Sequence, residues 1–169
     1  MHFKFSGDGV NFPFHQDSIF RKPDSSYKNL YHSFVQTALA VDPATEENGC
    51  IIFFPRSHLA QKSLLSYRGE IADFNENNKE KLSELGESFS CVMNPGDLAI
   101  WNPFMVHGSH PNTSKISRRM YINGFVKSET SDRGMEISKN GKIQPLDLVS
   151  DLKWDEFESY AQYEEDESK

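Results

Sequence analysis

Short apolar segments separated by strong turn formers dominate the first two thirds of this chain of 169 residues. Five segments have the length and composition of β-strands: 34–41, 51–54, 88–93, 98–102 and 119–126. Asp42-Pro43, Asn48-Gly49 and the run 94–97 mark turns between them. Short strands with frequent turns and long connections predict a mainly β sandwich or barrel. A jelly roll (double-stranded β-helix, cupin-like) is the natural candidate.

Three parts of the chain depart from this β pattern. Residues 60–87 are polar and helix-prone, and we expect a short helix over 78–85 within them. An insertion of this size between strands is usually functional, and a substrate lid is our interpretation. The Asn-Gly pair at 140–141 predicts a hairpin turn, and the apolar spacing over 152–162 predicts a C-terminal amphipathic helix.

The formal net charge of −7 is concentrated at the end of the chain. Residues 151–169 hold eight acidic residues and two lysines, whereas the preceding part is nearly neutral, with seventeen acidic and sixteen basic residues. We therefore expect a domain over 1–150 and an acidic, solvated helix or tail over 151–169. The sequence has no basic stripe for nucleic acid, no apolar run that could span a membrane and no signal-peptide pattern. It predicts a cytoplasmic protein.

The two cysteines, Cys50 and Cys91, are far apart in the chain and lie in apolar stretches. They do not form the closely spaced pair that is typical of a metal site. This placement favours buried free thiols in a reducing compartment, with a disulfide as the alternative.

The tripeptide His15-Gln16-Asp17 is the first candidate for chemistry. On an extended strand, residues i and i+2 point to the same side, so His15 and Asp17 can present an imidazole nitrogen and a carboxylate oxygen to one ion. Such a pair also arises by chance in a chain with six histidines, and the alternative is a strand end with a polar turn.

His107 is a third ligand candidate, because it follows an apolar strand and turn. Two histidines and one carboxylate are the ligand set of non-haem Fe(II) with open coordination positions. The local competitors rank lower. His110 precedes a proline in an apparent surface loop, and His58 is interpreted as a structural residue or as a support for a ligand.

Two adjacent arginines, Arg118 and Arg119, follow His107 at a step that allows a turn and a return on the neighbouring strand. An arginine fork matches a carboxylate with two parallel hydrogen bonds, which suits a carboxylate co-substrate beside the metal. Side chains alternate along a strand, so only one of the two arginines can face the site. The residues alone barely distinguish this role from that of an arginine pair at a solvated strand edge.

Three blocks of the sequence resemble the phytanoyl-CoA dioxygenase family of Fe(II)/2-oxoglutarate-dependent oxygenases. They are residues 14–17 (FHQD), residues 42–58, which end in Pro-Arg-Ser-His, and residues 95–118, which contain His-Gly-Ser, and they occur in the family's order. The resemblance implies a jelly roll that uses Fe(II), 2-oxoglutarate and O2. It also implies hydroxylation of an unactivated C–H bond of a small organic molecule, with release of succinate and CO2.

The resemblance also assigns roles to individual residues. It implies His15, Asp17 and His107 as the iron ligands, and Arg118 as the partner of the distal carboxylate of 2-oxoglutarate. Related halogenases replace the carboxylate ligand with a small residue, so the presence of Asp17 argues against halogenation.

Gln16 and Ser109 match positions that often help to hold the co-substrate. The chain departs from the family in starting almost at the His-x-Asp motif, and Lys4 is interpreted as a remnant of a strand just upstream. A barrel without the family's N-terminal part exposes apolar sheet, so we expect an oligomer or a preceding segment to cover it. Two other functions stay open: an inactive or partner-dependent fragment that acts as a binding module, and a cupin-like metalloprotein with other chemistry.

Overall fold

A computed structural model describes residues 1–21, 27–67, 73–131 and 136–144, and divides the chain into one unit over residues 1–132 and another over residues 133–169. The first unit contains the strands β1 (His2–Lys4), β2 (Phe12–His15), β3 (Phe34–Ala40), β4 (Ile51–Phe53), β5 (Phe89–Cys91), β6 (Leu98–Trp101), β7 (His107–Ser109) and β8 (Arg118–Val126). Its α-helices are α1 (Leu30–Ser33), α2 (Phe74–Asn77) and α3 (Lys79–Glu84).

The eight strands form two four-stranded antiparallel sheets. The first sheet has the order β1-β8-β3-β6, and the second has the order β2-β7-β4-β5. Neighbours in each sheet are distant in sequence, as expected for a double-stranded β-helix, in which the chain crosses repeatedly between two sheets. The predicted mainly β jelly roll is therefore confirmed, and β3, β4, β5, β6 and β8 fall on the five predicted strands.

The register of the sheets brings the candidate residues together. On the second sheet, His15 at the end of β2 lies directly opposite His107 at the start of β7, after an irregularity in the pairing. On the first sheet, Lys4 of β1 lies opposite Arg118 at the start of β8. These pairings join segments about a hundred residues apart, which periodicity along the sequence does not reveal.

The main hydrophobic core contains side chains of different sizes, from alanine to tryptophan, from both sheets. Its buried members are Ala38, Ala40, Ala44, Cys50, Ile51, Met93, Trp101 and Met120. Both cysteines are free thiols, as the sequence favoured, and burial raises the pKa of Cys50 to about 11. A protonated, buried thiol of this kind behaves as a small apolar side chain.

The outer face of the first sheet is apolar and exposed. Leu39 of β3 lies between Leu98 of β6 and Tyr121 of β8, and the exposed fractions of Leu98 and Tyr121 are 54% and 48%. Ile100, two residues along β6, is 62% exposed. The expected exposure of apolar sheet is thus present, and its cover by an oligomer or a preceding segment stays a prediction.

The insertion over residues 60–87 contains α2 and α3, and α3 confirms the predicted short helix. Its described residues are fastened to the free edge of β2: Phe14 N–H donates to Asn75 Oδ1 at 2.7 Å, and Gln16 N–H donates to the Tyr67 hydroxyl at 2.8 Å. Side-chain acceptors thus satisfy edge donors of the strand that carries His15, which protects this edge from other strands. The role of the insertion as a substrate lid stays a prediction.

The described part of the second unit is a hairpin of β9 (Ser138–Lys139) and β10 (Lys142–Ile143). Asn140 and Gly141 both have positive φ, 51° and 75°, as a two-residue type I′ turn requires, so the Asn-Gly prediction is confirmed. The expected acidic tail and helix lie outside the described residues. Within the described residues, no helix is both long and apolar enough to cross a bilayer.

Candidate active site

Three side chains converge where β2 and β7 meet. His15, Asp17 and His107 each offer a ligand atom, and these atoms all lie within 4.8 Å of one another. The Nε2 atoms of the two histidines are each 3.7 Å from one of the two carboxylate oxygens of Asp17. Among the described residues this is the one cluster of three or more such side chains, and it is the set that the sequence predicted.

The backbone orients both imidazoles in the same way. Nδ1 of His15 lies 2.9 Å from the carbonyl oxygen of Pro13, and Nδ1 of His107 lies 2.9 Å from that of Met105. A carbonyl only accepts hydrogen bonds, so each Nδ1 carries the proton and each Nε2 presents a lone pair. Both lone pairs are therefore available on the atoms nearest to Asp17.

His107 is neutral at physiological pH. Burial, with a smaller contribution from the nearby His15, lowers the pKa of His107 to about 4, although the Asp17 carboxylate acts in the opposite direction. A metal binds neutral imidazole in competition with protons, so this environment favours coordination over protonation.

Trp101 holds the Asp17 carboxylate. Its indole Nε1–H donates to Oδ2 of Asp17 at 3.2 Å, and its ring packs against His107 with the centroids 5.2 Å apart. Such a hydrogen bond fixes the orientation of a ligating carboxylate. Sequence reasoning did not assign this role; the available signal was a tryptophan on an apolar strand, since a buried indole needs an acceptor.

The two adjacent arginines of β8 have opposite environments. Arg118 is only 4% exposed, and its Nε has no hydrogen-bond partner among the described residues. Arg119 is exposed and forms a bidentate pair with Asp42, with Nε–Oδ2 and Nη2–Oδ1 distances of 2.7 Å. Strand alternation therefore turns Arg118, rather than Arg119, toward the interior between the sheets.

A buried lysine lies beside Arg118. Lys4 is 1% exposed, and its Nζ donates to the carbonyl oxygens of Val10 at 2.7 Å and His110 at 2.6 Å. Burial and the neighbouring Arg118 lower the pKa of Lys4 to about 8. Among the described residues, no carboxylate lies within 4 Å of either cation, so the interior here is electropositive and suited to an anionic ligand.

Gly49 provides the space for Lys4. Its φ is +78°, and a Cβ at this position would lie 2.5 Å from the carbonyl oxygen of His110 and 2.9 Å from Cδ of Lys4. Both the backbone conformation and the contact exclude a side chain, so Gly49 permits the lysine to reach its two acceptors.

The two other predicted co-substrate contacts differ. Ser109 is buried on β7, two residues after His107 and therefore on the same face of the strand. Gln16 is fully buried, and its Nε2 donates to the carbonyl oxygens of Lys62 and Phe104, at 3.1 and 2.7 Å. Both N–H donors that could contact a carboxylate are thus already used, and Gln16 instead fixes the insertion to the ligand strand.

The competing histidines lie outside the cluster. His110 is exposed, and its ring stands edge-on to Phe14 at 6.4 Å. His58 is half-buried, with its ring stacked 6.5 Å from that of Tyr31. Neither histidine belongs to the group of side chains that converge on Asp17.

A family model described as "Phytanoyl-CoA dioxygenase (PhyH)" matches residues 1–120. The chain belongs to the phytanoyl-CoA dioxygenase family. The family implies Fe(II), 2-oxoglutarate and O2, and the residues present fit the first two groups. The His-Asp-His cluster offers the donor atoms that suit Fe(II), and the buried, unpartnered Nε of Arg118 is a donor suited to a carboxylate.

Named relatives of this phytanoyl-CoA dioxygenase family member are oxygenases. Phytanoyl-CoA dioxygenase 1 of Oryza sativa subsp. japonica is 29% identical over 143 residues, which cover 84% of this chain and 47% of the relative. The 2-aminoethylphosphonate dioxygenase of an uncultured bacterium is 26% identical over 144 residues, covering 83% of this chain and 48% of the relative. The chain thus spans about half the length of these relatives.

The solved structure of EctD from S. alaskensis with 2-oxoglutarate and 5-hydroxyectoine shares the fold. Its TM-score is 0.63 at 17% identity, with 86% of this chain and 51% of that chain covered. This likeness supports the jelly-roll architecture, and the roles of individual residues rest on the geometry above.

Proposed function

We propose that this chain carries the active site of an Fe(II)- and 2-oxoglutarate-dependent dioxygenase. The reaction is hydroxylation of an unactivated C–H bond of a small organic molecule, with release of succinate and CO2. The observation that carries the proposal is one interior that holds both a convergent His-Asp-His cluster and a buried arginine with an unpartnered Nε.

His15, Asp17 and His107 hold the iron in this proposal. Two imidazoles and one carboxylate leave coordination positions open for the co-substrate and O2. When bound, iron and 2-oxoglutarate supply the oxidising chemistry that breaks the C–H bond. Trp101 holds Asp17 in place through the indole hydrogen bond, so that the carboxylate does not rotate between its two oxygens.

Arg118 anchors the distal carboxylate of 2-oxoglutarate. Its buried guanidinium gains a charge-assisted, bidentate partner on binding, which compensates for the cost of burying the cation. Lys4 adds positive charge next to it, and Ser109 offers a hydroxyl on the face of β7 that carries His107. Apolar core side chains around these groups exclude water from the reacting centre.

A binding module without turnover is the second candidate. It needs only the His-Asp-His cluster and the buried arginine, which can bind metal and co-substrate without turnover. In this case the site would bind metal and co-substrate, but addition of O2 would not produce succinate above the level of a ligand-deficient variant.

One experiment tests both candidates. Fe(II) and 2-oxoglutarate are added without O2, and the visible metal-to-ligand charge-transfer band is measured; air is then admitted and succinate is quantified. We expect the band and succinate from the wild type, neither from Asp17→Ala, and both from Asp42→Ala, whose carboxylate pairs with Arg119 on the surface. A folded wild type without the band contradicts metal and co-substrate binding, and a band without succinate supports the binding module.

A further inference from the structure

Arg21 lies beside the His-Asp-His cluster, next to Asp17. Its guanidinium is a second cation, in addition to that of Arg118. Arg21 follows the 3-10 turn Asp17–Phe20, and its Nη1 donates to the backbone carbonyl oxygen of Asp17 at 3.1 Å. The guanidinium is thus attached to the same residue whose carboxylate faces the two histidines. Neither the motif nor the family resemblance assigned this residue.

Phe34 and Gln36 form a platform for this guanidinium. The Cζ atom of Arg21 lies 4.4 Å from the centre of the Phe34 ring, a cation–π contact, and its Nη2 donates to Oε1 of buried Gln36 at 3.3 Å. Gly124 on the adjacent strand makes this possible, because a Cβ there would lie 2.3 Å from Cζ of Phe34. The aromatic ring therefore lies across a position where only glycine fits, and the arginine rests on the ring.

Strand pairing and a hydrogen bond connect Gln36, through Trp101, to the His-Asp-His cluster. Gln36 of β3 is paired with Trp101 of β6, and the Trp101 indole donates to the Asp17 carboxylate. Arg21 thus lies beside the residue that carries the carboxylate of the cluster, and it is half-buried rather than fully enclosed.

Within the described residues, Arg21 also has N–H donors that no hydrogen bond uses. A guanidinium has five N–H groups, and the contacts to Asp17 and Gln36 use two of them. Within the described residues, no carboxylate forms an ion pair with its side chain. Arg118 lies on β8, away from the turn that carries Arg21, and is proposed to bind the co-substrate, so the two cations provide separate sites for anions.

We propose that Arg21 binds an oxyanion of the primary substrate (a carboxylate, sulfonate or phosphonate) and holds the substrate beside the iron. This inference rests on the proposed oxygenase function. It identifies the substrate class as small organic anions. Arg21 acts through charge and a hydrogen-bonding fork, so a neutral molecule of the same size lacks the main contact.

The test uses the anaerobic protein with Fe(II) and saturating 2-oxoglutarate. Acetate, methanesulfonate, methylphosphonate and the neutral dimethyl sulfone are titrated separately, and the perturbation of the charge-transfer band is followed. We expect at least one oxyanion to half-saturate the wild type at a concentration at least tenfold below that of dimethyl sulfone. The preferred oxyanion then distinguishes a carboxylate, sulfonate or phosphonate substrate.

Three variants separate binding from structure. Arg21→Gln keeps a donor for the Asp17 carbonyl but removes the charge, and we expect at least a tenfold loss for the oxyanion with an unchanged half-saturation for 2-oxoglutarate. Arg21→Lys should recover part of the loss, and Arg56→Met, at an exposed arginine, should match the wild type. The inference is overturned if no oxyanion perturbs the wild type, or if Arg21→Gln responds like the wild type. A folded wild type without the charge-transfer band contradicts the proposed function as well. Failure of the proposed function is thus distinguished from failure of this inference alone.

Discussion

The two faces of the sheet β1-β8-β3-β6 differ in an unusual way, because each carries residues that are more common on the other. The inner face buries Lys4, Gln36 and Arg118, whereas the outer face exposes apolar side chains such as Leu98 and Ile100. Burying a cation costs free energy unless a partner compensates for it. Among the described residues, Arg118 Nε lacks such a partner, so the inner face has the properties of a binding site for anions.

The largest loss of stability is expected at Gly49, which packs against Lys4 of the inner face. Gly49→Ala places a methyl group 2.5 Å from a carbonyl oxygen in a positive-φ conformation, so we expect the free energy of unfolding to fall by about 3 kcal/mol or more. Gly96→Ala is the matched control, since Gly96 has φ +93° but nothing within 4 Å. Its loss should be confined to backbone strain, about 1 kcal/mol, as measured by urea unfolding. Equal losses would contradict the crowding around Lys4.

The next largest effect is a dependence on pH. The pKa of His107 is about 4 in the folded protein and about 6.5 when unfolded, so the unfolded state binds an extra proton between these values. The stability of the metal-free protein should therefore be complete above pH 6.5 and fall by on the order of 2–3 kcal/mol as the pH decreases to 4. Urea unfolding of the wild type and of His107→Gln measures this contribution. The variant should lack it, and parallel curves would contradict burial of a neutral imidazole.

Trp101→Phe tests the support of the carboxylate ligand. It keeps an aromatic ring in the core but removes the hydrogen bond to Asp17, so we expect Fe(II) affinity to fall about 10- to 100-fold. Tyr121→Phe on the outer face is the control and should bind Fe(II) as the wild type does. An unchanged affinity in Trp101→Phe would show that the indole does not position Asp17.

The smallest effect is expected on the outer face. Ile100 is 62% exposed, so Ile100→Thr should change the free energy of unfolding by less than about 0.5 kcal/mol. Urea unfolding at two protein concentrations measures this. A larger loss that depends on concentration would show that another copy of the chain covers this face.

The sequence predicted the strands and the His-Asp-His cluster because their signals are local or belong to a linear motif. Apolar runs marked β3, β4 and β8, and His15 and His107 were recognised with Asp17 as a ligand set. β1 is only three residues long and gave no strand signal by itself.

The partners of the site were not predictable in the same way. Trp101 reaches Asp17 through tertiary packing, which leaves no mark on sequence spacing. Arg21 contacts Asp17 locally, but its contacts with Phe34 and Gln36 also depend on tertiary packing. For Gln16, the family resemblance suggested a co-substrate contact that the packing does not favour. Its two amide donors are used by backbone carbonyls, one of them in the insertion. The choice between Arg118 and Arg119 likewise required the burial of each side chain.

The affinity for 2-oxoglutarate in Arg118→Met and Arg119→Met is the most direct test of the claim that the inner face binds anions. Each is titrated with 2-oxoglutarate in the presence of Fe(II) and without O2, and the charge-transfer band is followed. A buried, charge-assisted pair is worth about 2–5 kcal/mol, so Arg118→Met should weaken binding by about 30-fold or more, whereas Arg119→Met should bind as the wild type does. Wild-type affinity in Arg118→Met, or an equal loss in both variants, would contradict the account.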